Sequence, residues 1–159
     1  MSAPAHAADP GGRHWLSFRI GEQLYAAPLA EVSEVIRDGE LTPVPGAADD
    51  LLGVRHLRGR IVPVLDGRLR LGLSVVPPAD PATVRIVMLS VAGQLIGVRV
   101  DAVGELLDTD GTDIAPPPPG RASRRADPVS GVLAWQGGFV ALLDVPRLCR
   151  LSGEADHVA

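Results

Sequence analysis

The chain contains no lysine and no asparagine, and all 15 of its basic residues are arginine. Without lysine there is neither a Schiff-base amine nor a P-loop lysine, so those two chemistries are excluded. A single cysteine, Cys149, cannot close an internal disulfide, which fits a reducing compartment. It sits in an apolar helical pattern and reads as a buried, inert thiol. Aromatics are only Trp15, Phe18, Tyr25, Trp135 and Phe139, too few for a base-stacking platform. The net charge of −4 argues against binding nucleic-acid phosphates. No apolar run approaches the ~18 residues of a spanning helix, so direct membrane insertion is not expected. Residues 1–14 are polar and Gly/Pro-rich with no apolar core, which reads as a flexible tail and not as a signal peptide. Residues 152–159 read as a C-terminal tail.

What the chain has in quantity is glycine and proline, 18 and 15 of 159 residues, too many for a helical bundle. Its apolar runs are short and rich in Val, Ile and Leu: 15–20, 23–29, 53–58, 60–65, 85–91, 94–100, 129–135 and 138–143. Each is bounded by Gly, Pro or Asp, the pattern of an all-β chain of many short strands. Turns are expected at Gly21-Glu22, Arg58-Gly59, Gly93 and Gly137-Gly138. Residues 29–37 (LAEVSEVIR) place Leu29, Val32, Val35 and Ile36 at helical spacing and read as a short amphipathic helical or irregular segment.

The sequence repeats itself in the order A-B-A-B. Residues 23–36 align without gaps on 94–107, with Gln, Leu, Val and Glu identical. Residues 53–66 align on 131–144, sharing the opening Gly-Val, the turn Gly, and a closing Val, Leu and Asp. The second copy is longer between its halves, within the proline-rich stretch 108–130, where a loop tolerates insertion. Two repeats in one order predict two similar β lobes, with strands exchanged near their junction. Asp66 and Asp144 each precede a Leu-bearing segment and suit an N-cap, so each lobe is expected to be closed by a short helix.

Reactive constellations are missing. The four histidines have no metal-ligand spacing, and no nucleophile elbow, zincin or phosphate-cradling motif occurs. No catalytic residue, cofactor or metal is therefore expected. Charge is the uneven feature. Residues 53–70 carry five arginines against Asp66 alone, whereas 21–40 carry Glu22, Glu31, Glu34, Asp38 and Glu40 against Arg37 alone. Two explanations stay open on these residues: the segments neutralise each other within one lobe, or the arginine-bearing hairpin docks a partner.

Several motifs in this order resemble one family. GVRHLRGRIVPVLDGRLRLG (53–72) is similar to the signature hairpin of CheW, the bacterial chemotaxis coupling protein, whose common form is close to G-V-x-N-L-R-G-x-I-V-P-V-V-D-L-R. FRIGEQLYAAPLAEVSEVI (18–36) resembles that family's opening, with the V-x-E-[IV] element at Val32–Val35. Residues 93–108 and 129–148 resemble its later blocks. His56, Gly67 and Arg85 depart from the pattern: Asn and Leu are usual at the first two, and an apolar residue at the third.

The resemblance implies one CheW-like domain over 15–151, all-β, of two intertwined SH3-like five-stranded β-barrel lobes with short closing helices. It implies no catalysis. The implied partners are the regulatory domain of a CheA-type histidine kinase, the cytoplasmic hairpin tip of a chemoreceptor, and further copies of the chain in an array. The implied location is cytoplasmic, at membrane-attached receptor arrays. Partner-binding positions carried over are Arg58, Gly59, Val32 and Glu34, with Leu29 and Val84 as groove positions. A type IV pilus or other surface-motility pathway is the alternative within the family. A small β-barrel enzyme or ligand-binding domain is the alternative outside it.

Overall fold

The computed structural model describes residues 13–117 and 127–151. The expected tails, beyond the last two residues of the N-terminal one, and residues 118–126 of the proline-rich stretch 108–130 lie outside them. Strand β1 (His14–Ile20) takes in His14, which the sequence placed in the tail, and the Arg13 carbonyl accepts the Thr109 N–H at 2.8 Å.

The strands follow the apolar runs: β2 (Gln23–Pro28), β3 (Val32–Arg37), β4 (Leu51–Leu57), β5 (Arg60–Asp66), β6 (Arg85–Val91), β7 (Gln94–Val100), β8 (Ala102–Asp108), β9 (Ile114–Ala115), β10 (Val129–Trp135) and β11 (Gly138–Leu143). They form two sheets. Lobe 1 is ordered β3-β6-β7-β5-β4 and lobe 2 is ordered β8-β1-β2-β11-β10-β9. The two SH3-like lobes are thus as expected, except that lobe 2 gains the two-residue β9. Its counterpart in lobe 1 is a single bridge between Thr42 and Val54.

The repeat is visible in the register. Each sheet has one parallel pairing, with Ala26 opposite Leu142 in lobe 2 and Gly97 opposite Val64 in lobe 1. These are the positions that the two repeats equate. Strands are exchanged: β3 leaves β2 to pair with β6, and β8 leaves β7 to pair with β1. Residues 29–37 differ from expectation. Only Leu29–Glu31 is helical, a single 3₁₀ turn, because Val32, Val35 and Ile36 are β-branched and complete the ladder beside β6.

Both faces of the inner strands are buried, which is why their sequences are runs and not alternations. On β6, Val87 and Leu89 enter a central cluster with Leu16, Phe18 and Ile20 of β1, while Ile86 and Met88 fill lobe 1 with Val62 and Val64. On lobe 2's side Ala26, Leu107, Leu133, Val140 and Leu142 form the interior, flanked by the half-buried Trp15 and Trp135. The offset of the first repeat, carried back to β1, sets Ser17 where lobe 1 has Met88, and the Ser17 hydroxyl donates to the Glu105 carbonyl at 2.7 Å.

A short helix follows the last strand of each repeat: α1 (Gly67–Arg70) packs against β5 and β7 of lobe 1, and α2 (Val145–Leu148) enters the central cluster beside β6. Their N-caps are Asp66 and Asp144, whose side chains accept backbone N–H groups at 2.8 and 3.0 Å. Leu71 and Leu148 then pack into the central cluster.

Candidate functional site

The β4–β5 hairpin turns through Arg58 and Gly59, with φ of +48° and +78°. Two consecutive left-handed residues make a turn whose twist matches the flanking strands. Gly59 suits it, and a Cβ there would meet open space, so the only cost of another residue is conformational. Arg58 bears that cost, which for a non-glycine residue is about 1–2 kcal/mol. Its guanidinium donates to the Glu34 carboxylate of β3, on the far edge of the same sheet. The pair closes the mouth of lobe 1 while Arg58 remains 67% exposed and Glu34 28%.

The turn recurs at Ala92-Gly93 and again in lobe 2, where it also carries a side chain to the far strand. Gln136-Gly137 repeats the turn with φ of +48° and +79°, one residue earlier than expected, and Gln136 reaches Glu105 at 3.5 Å. Those are the repeat counterparts of Arg58 and Glu34. Lobe 1 is closed by an ion pair and lobe 2 by a longer contact from an uncharged amide to a carboxylate.

Beside each closure lie exposed apolar side chains that the sequence reading did not single out. Val35 and Ile61 are 37% and 65% exposed on lobe 1, and their repeat counterparts Leu106 and Phe139 are 54% and 65% exposed on lobe 2. Pairing the repeats position by position would have found them, since exposure recurs at equivalent places. Phe139 also walls an apolar hollow of about 470 Å³, with Tyr25, Pro116, Val132 and Ala141.

The remaining predicted positions do not converge on this face. Val32 is only 7% exposed and Leu29 is half-buried, both against the central cluster. Val84 is 4% exposed. It precedes the Arg85–Arg37 pair, whereas Val32 stands opposite Leu89, so the two lie about 16 Å apart along β6. Both are interior residues here, and neither offers much apolar surface to a partner.

Charge compensation between the two segments is partial. Glu34 alone meets an arginine of the hairpin. Arg68 pairs with Asp101 at 2.7 Å, Arg70 with Asp50 at 2.8 Å, and Asp38 with Arg99 at 2.9 Å. Arg55 donates to the Arg37 carbonyl. Among the described residues Arg60 has no ion pair, so the hairpin tip stays cationic.

Two of the three departures have structural roles. Gly67 is buried, and a Cβ there would stand 2.6 Å from the Arg99 carbonyl and 2.7 Å from Ile20 Cδ1. Arg85 donates to the Ala82 and Val84 carbonyls at 3.0 and 2.9 Å. His56 is exposed on β4 opposite Ile61.

Cys149 is 2% exposed, and burial pushes its thiol up to about 12, which suppresses the thiolate. Glu31 is held above the usual carboxylate range by burial and by the nearby Asp144 carboxylate. No group of His, Cys, Asp and Glu able to hold a metal ion occurs among the described residues.

A family model described as a CheW-like domain matches residues 14–152. The chain is 34% identical over 147 residues to the chemotaxis protein CheW of Rhizobium meliloti (strain 1021), covering 91% of this chain and 92% of that protein. It is 28% identical to the chemotaxis protein CheW of Klebsiella aerogenes, covering 96% and 92%. It is 31% identical over 137 residues to protein FrzA of Myxococcus xanthus, covering 82% and 79%. Among solved structures, the scaffolding protein TtCheW from Thermoanaerobacter tengcongensis superposes with a TM-score of 0.77 at 28% identity, covering 89% of this chain and 95% of that one.

Proposed function

This chain belongs to the CheW-like family and is a chemotaxis scaffold, and from that premise we propose that it couples a chemoreceptor to a CheA-type histidine kinase without turnover of its own. The observation that carries this reading is the Arg58-Gly59 turn. It projects a mostly exposed arginine from a strained backbone, beside the exposed Val35 and Ile61 and the unpaired Arg60. A planar guanidinium flanked by apolar surface is the composition of an interface anchor. The kinase's regulatory domain is the partner assigned to this face, and the receptor's hairpin tip is assigned to the seam between the lobes near Leu29. No helix among the described residues is long and apolar enough to cross a membrane, so on this reading the chain reaches receptor arrays through its partners.

The test is a reconstitution. Immobilised kinase regulatory domain and receptor-bearing vesicles should each capture the purified chain, and the chain should place kinase activity under receptor control. Capture by neither would overturn the reading, as would a hydrolytic or transferase activity of the chain alone.

A further inference from the structure

Two arginines of α1 reach toward the other lobe and take no part in the hairpin face or the lobe interiors. No strand pairing crosses the seam between the lobes, since the two sheets are separate ladders. The lobes share the central apolar cluster, whose close packing resists separation and restrains the angle within the play of its side chains. Charge-assisted hydrogen bonds to fixed acceptors narrow that angle further.

Arg70 makes three such bonds. Its Nη1 donates to Asp50 of lobe 1 at 2.8 Å, while Nε and Nη2 donate at 2.7 and 3.0 Å to the Leu148 and Arg147 carbonyls of α2, which continues the chain from β11 of lobe 2 and packs into the central cluster. The Arg70 and Asp50 side chains are 16% and 18% exposed, so water competes weakly for either. Arg68 makes the second bridge. Its Nη2 donates to Asp101 Oδ2 at 2.7 Å, and that same oxygen accepts the Gly21 N–H of the β1–β2 turn of lobe 2 at 2.8 Å. The Asp101 N–H also donates to the Arg19 carbonyl of β1 at 2.9 Å. The guanidinium fork suits this work because its donors diverge in a fixed plane toward acceptors on different elements.

We propose that Arg70 and Arg68 are positioning residues that hold the two lobes at one fixed angle, so that a displacement imposed on one lobe reaches the other undiminished. The second half of this statement rests on the coupling function; the first does not.

Residual dipolar couplings of the backbone amides, measured on the full chain, test the lock. In the wild type both sheets should fit one alignment tensor. In the Arg68→Met/Arg70→Met double variant each sheet should keep its own fit while the two require different tensors. Should that variant fail to fold, Arg70→Lys takes its place: it keeps the charge and stem but cannot span three acceptors. A single tensor in a folded variant, or two tensors in the wild type, overturns the lock. The functional arm is receptor control of the kinase in reconstituted vesicles. The folded variant should bind each partner within about twofold of wild type yet lose about fivefold or more of receptor control, the scale of a small coupling free energy. Full receptor control by the variant overturns the transmission half. Failure of the wild type to couple at all would overturn the functional reading instead, and the tensors would still judge the lock.

Discussion

Arg58 combines an unfavourable backbone with a favourable side-chain bond. Its φ of +48° costs energy, and its bond to Glu34 closes lobe 1. The pair is largely exposed at the arginine end, so its net contribution to stability should be below about 1 kcal/mol. Arg58→Ala should therefore move the melting temperature little and weaken binding to the kinase regulatory domain by about 2 kcal/mol or more, as for an interface anchor. Calorimetric titration beside a thermal melt separates these effects, and a large loss of stability with unchanged affinity would refute the interface role. Gln136 has the same strain with a weaker bond in return. Gln136→Gly should raise stability by about 0.5–1 kcal/mol, read from denaturant midpoints.

Glu31 gives a pH signature. Burial and the Asp144 carboxylate raise its folded pKa above 4.5, so the folded state binds its proton more tightly than the unfolded state. Its contribution is most favourable below pH 4.5 and is lost as pH rises through the folded value. Glu31→Gln should then stabilise the chain at neutral pH, and the gain should vanish below about pH 4.5. The side chain is far from fully buried, so the gain is expected to stay under about 1 kcal/mol. Urea midpoints of both proteins across this range would check it.

At the scale of elements, the helix caps and turns were legible because they are local. Asp66 and Asp144 cap the short helices, and Gly59 and Gly137 sit where left-handed backbone is required. Residues 29–37 were less legible. Their apolar spacing fits a helix, but pairing with β6 draws six of them into a strand, and β6 is about fifty residues away in sequence. The short helix of lobe 1 has a further constraint. Gly67 has no room for a methyl group between the Arg99 carbonyl and Ile20. Gly67→Ala should cost about 1–3 kcal/mol, the range of core overpacking. An unchanged melting temperature would show that Ile20 can move aside.

For the whole molecule, the largest cluster joins strands from both lobes, beside the smaller interior that each lobe has to itself. Unfolding should be one cooperative transition in calorimetry, with van't Hoff and calorimetric enthalpies in agreement. Phe18→Ala should lower stability by about 3–5 kcal/mol while keeping a single transition. Two resolved transitions would mean that each lobe folds by itself. Val84 belongs to this scale too. At 4% exposure it is interior, and Val84→Asp is expected to destabilise the chain generally before it touches any one partner.

The sequence by itself determined the two-lobe plan. The repeats of 23–36 on 94–107 and of 53–66 on 131–144 are comparisons within one string, and similar patterns give similar strands and turns when short-range preferences agree with the fold. The hairpin arginine was equally plain, since Arg58-Gly59 is a turn that two adjacent residues specify. Tertiary structure decided what depends on distant residues meeting. Glu34 is placed at the Arg58 tip, and Glu105 at Gln136, only because strand exchange carries β3 and β8 into sheets begun elsewhere in the chain. It also decided which face of each apolar run is buried. Val84 goes inward and Ile61 outward although both are branched aliphatics, because one is enclosed by the fold and the other lies on a face that nothing among the described residues covers.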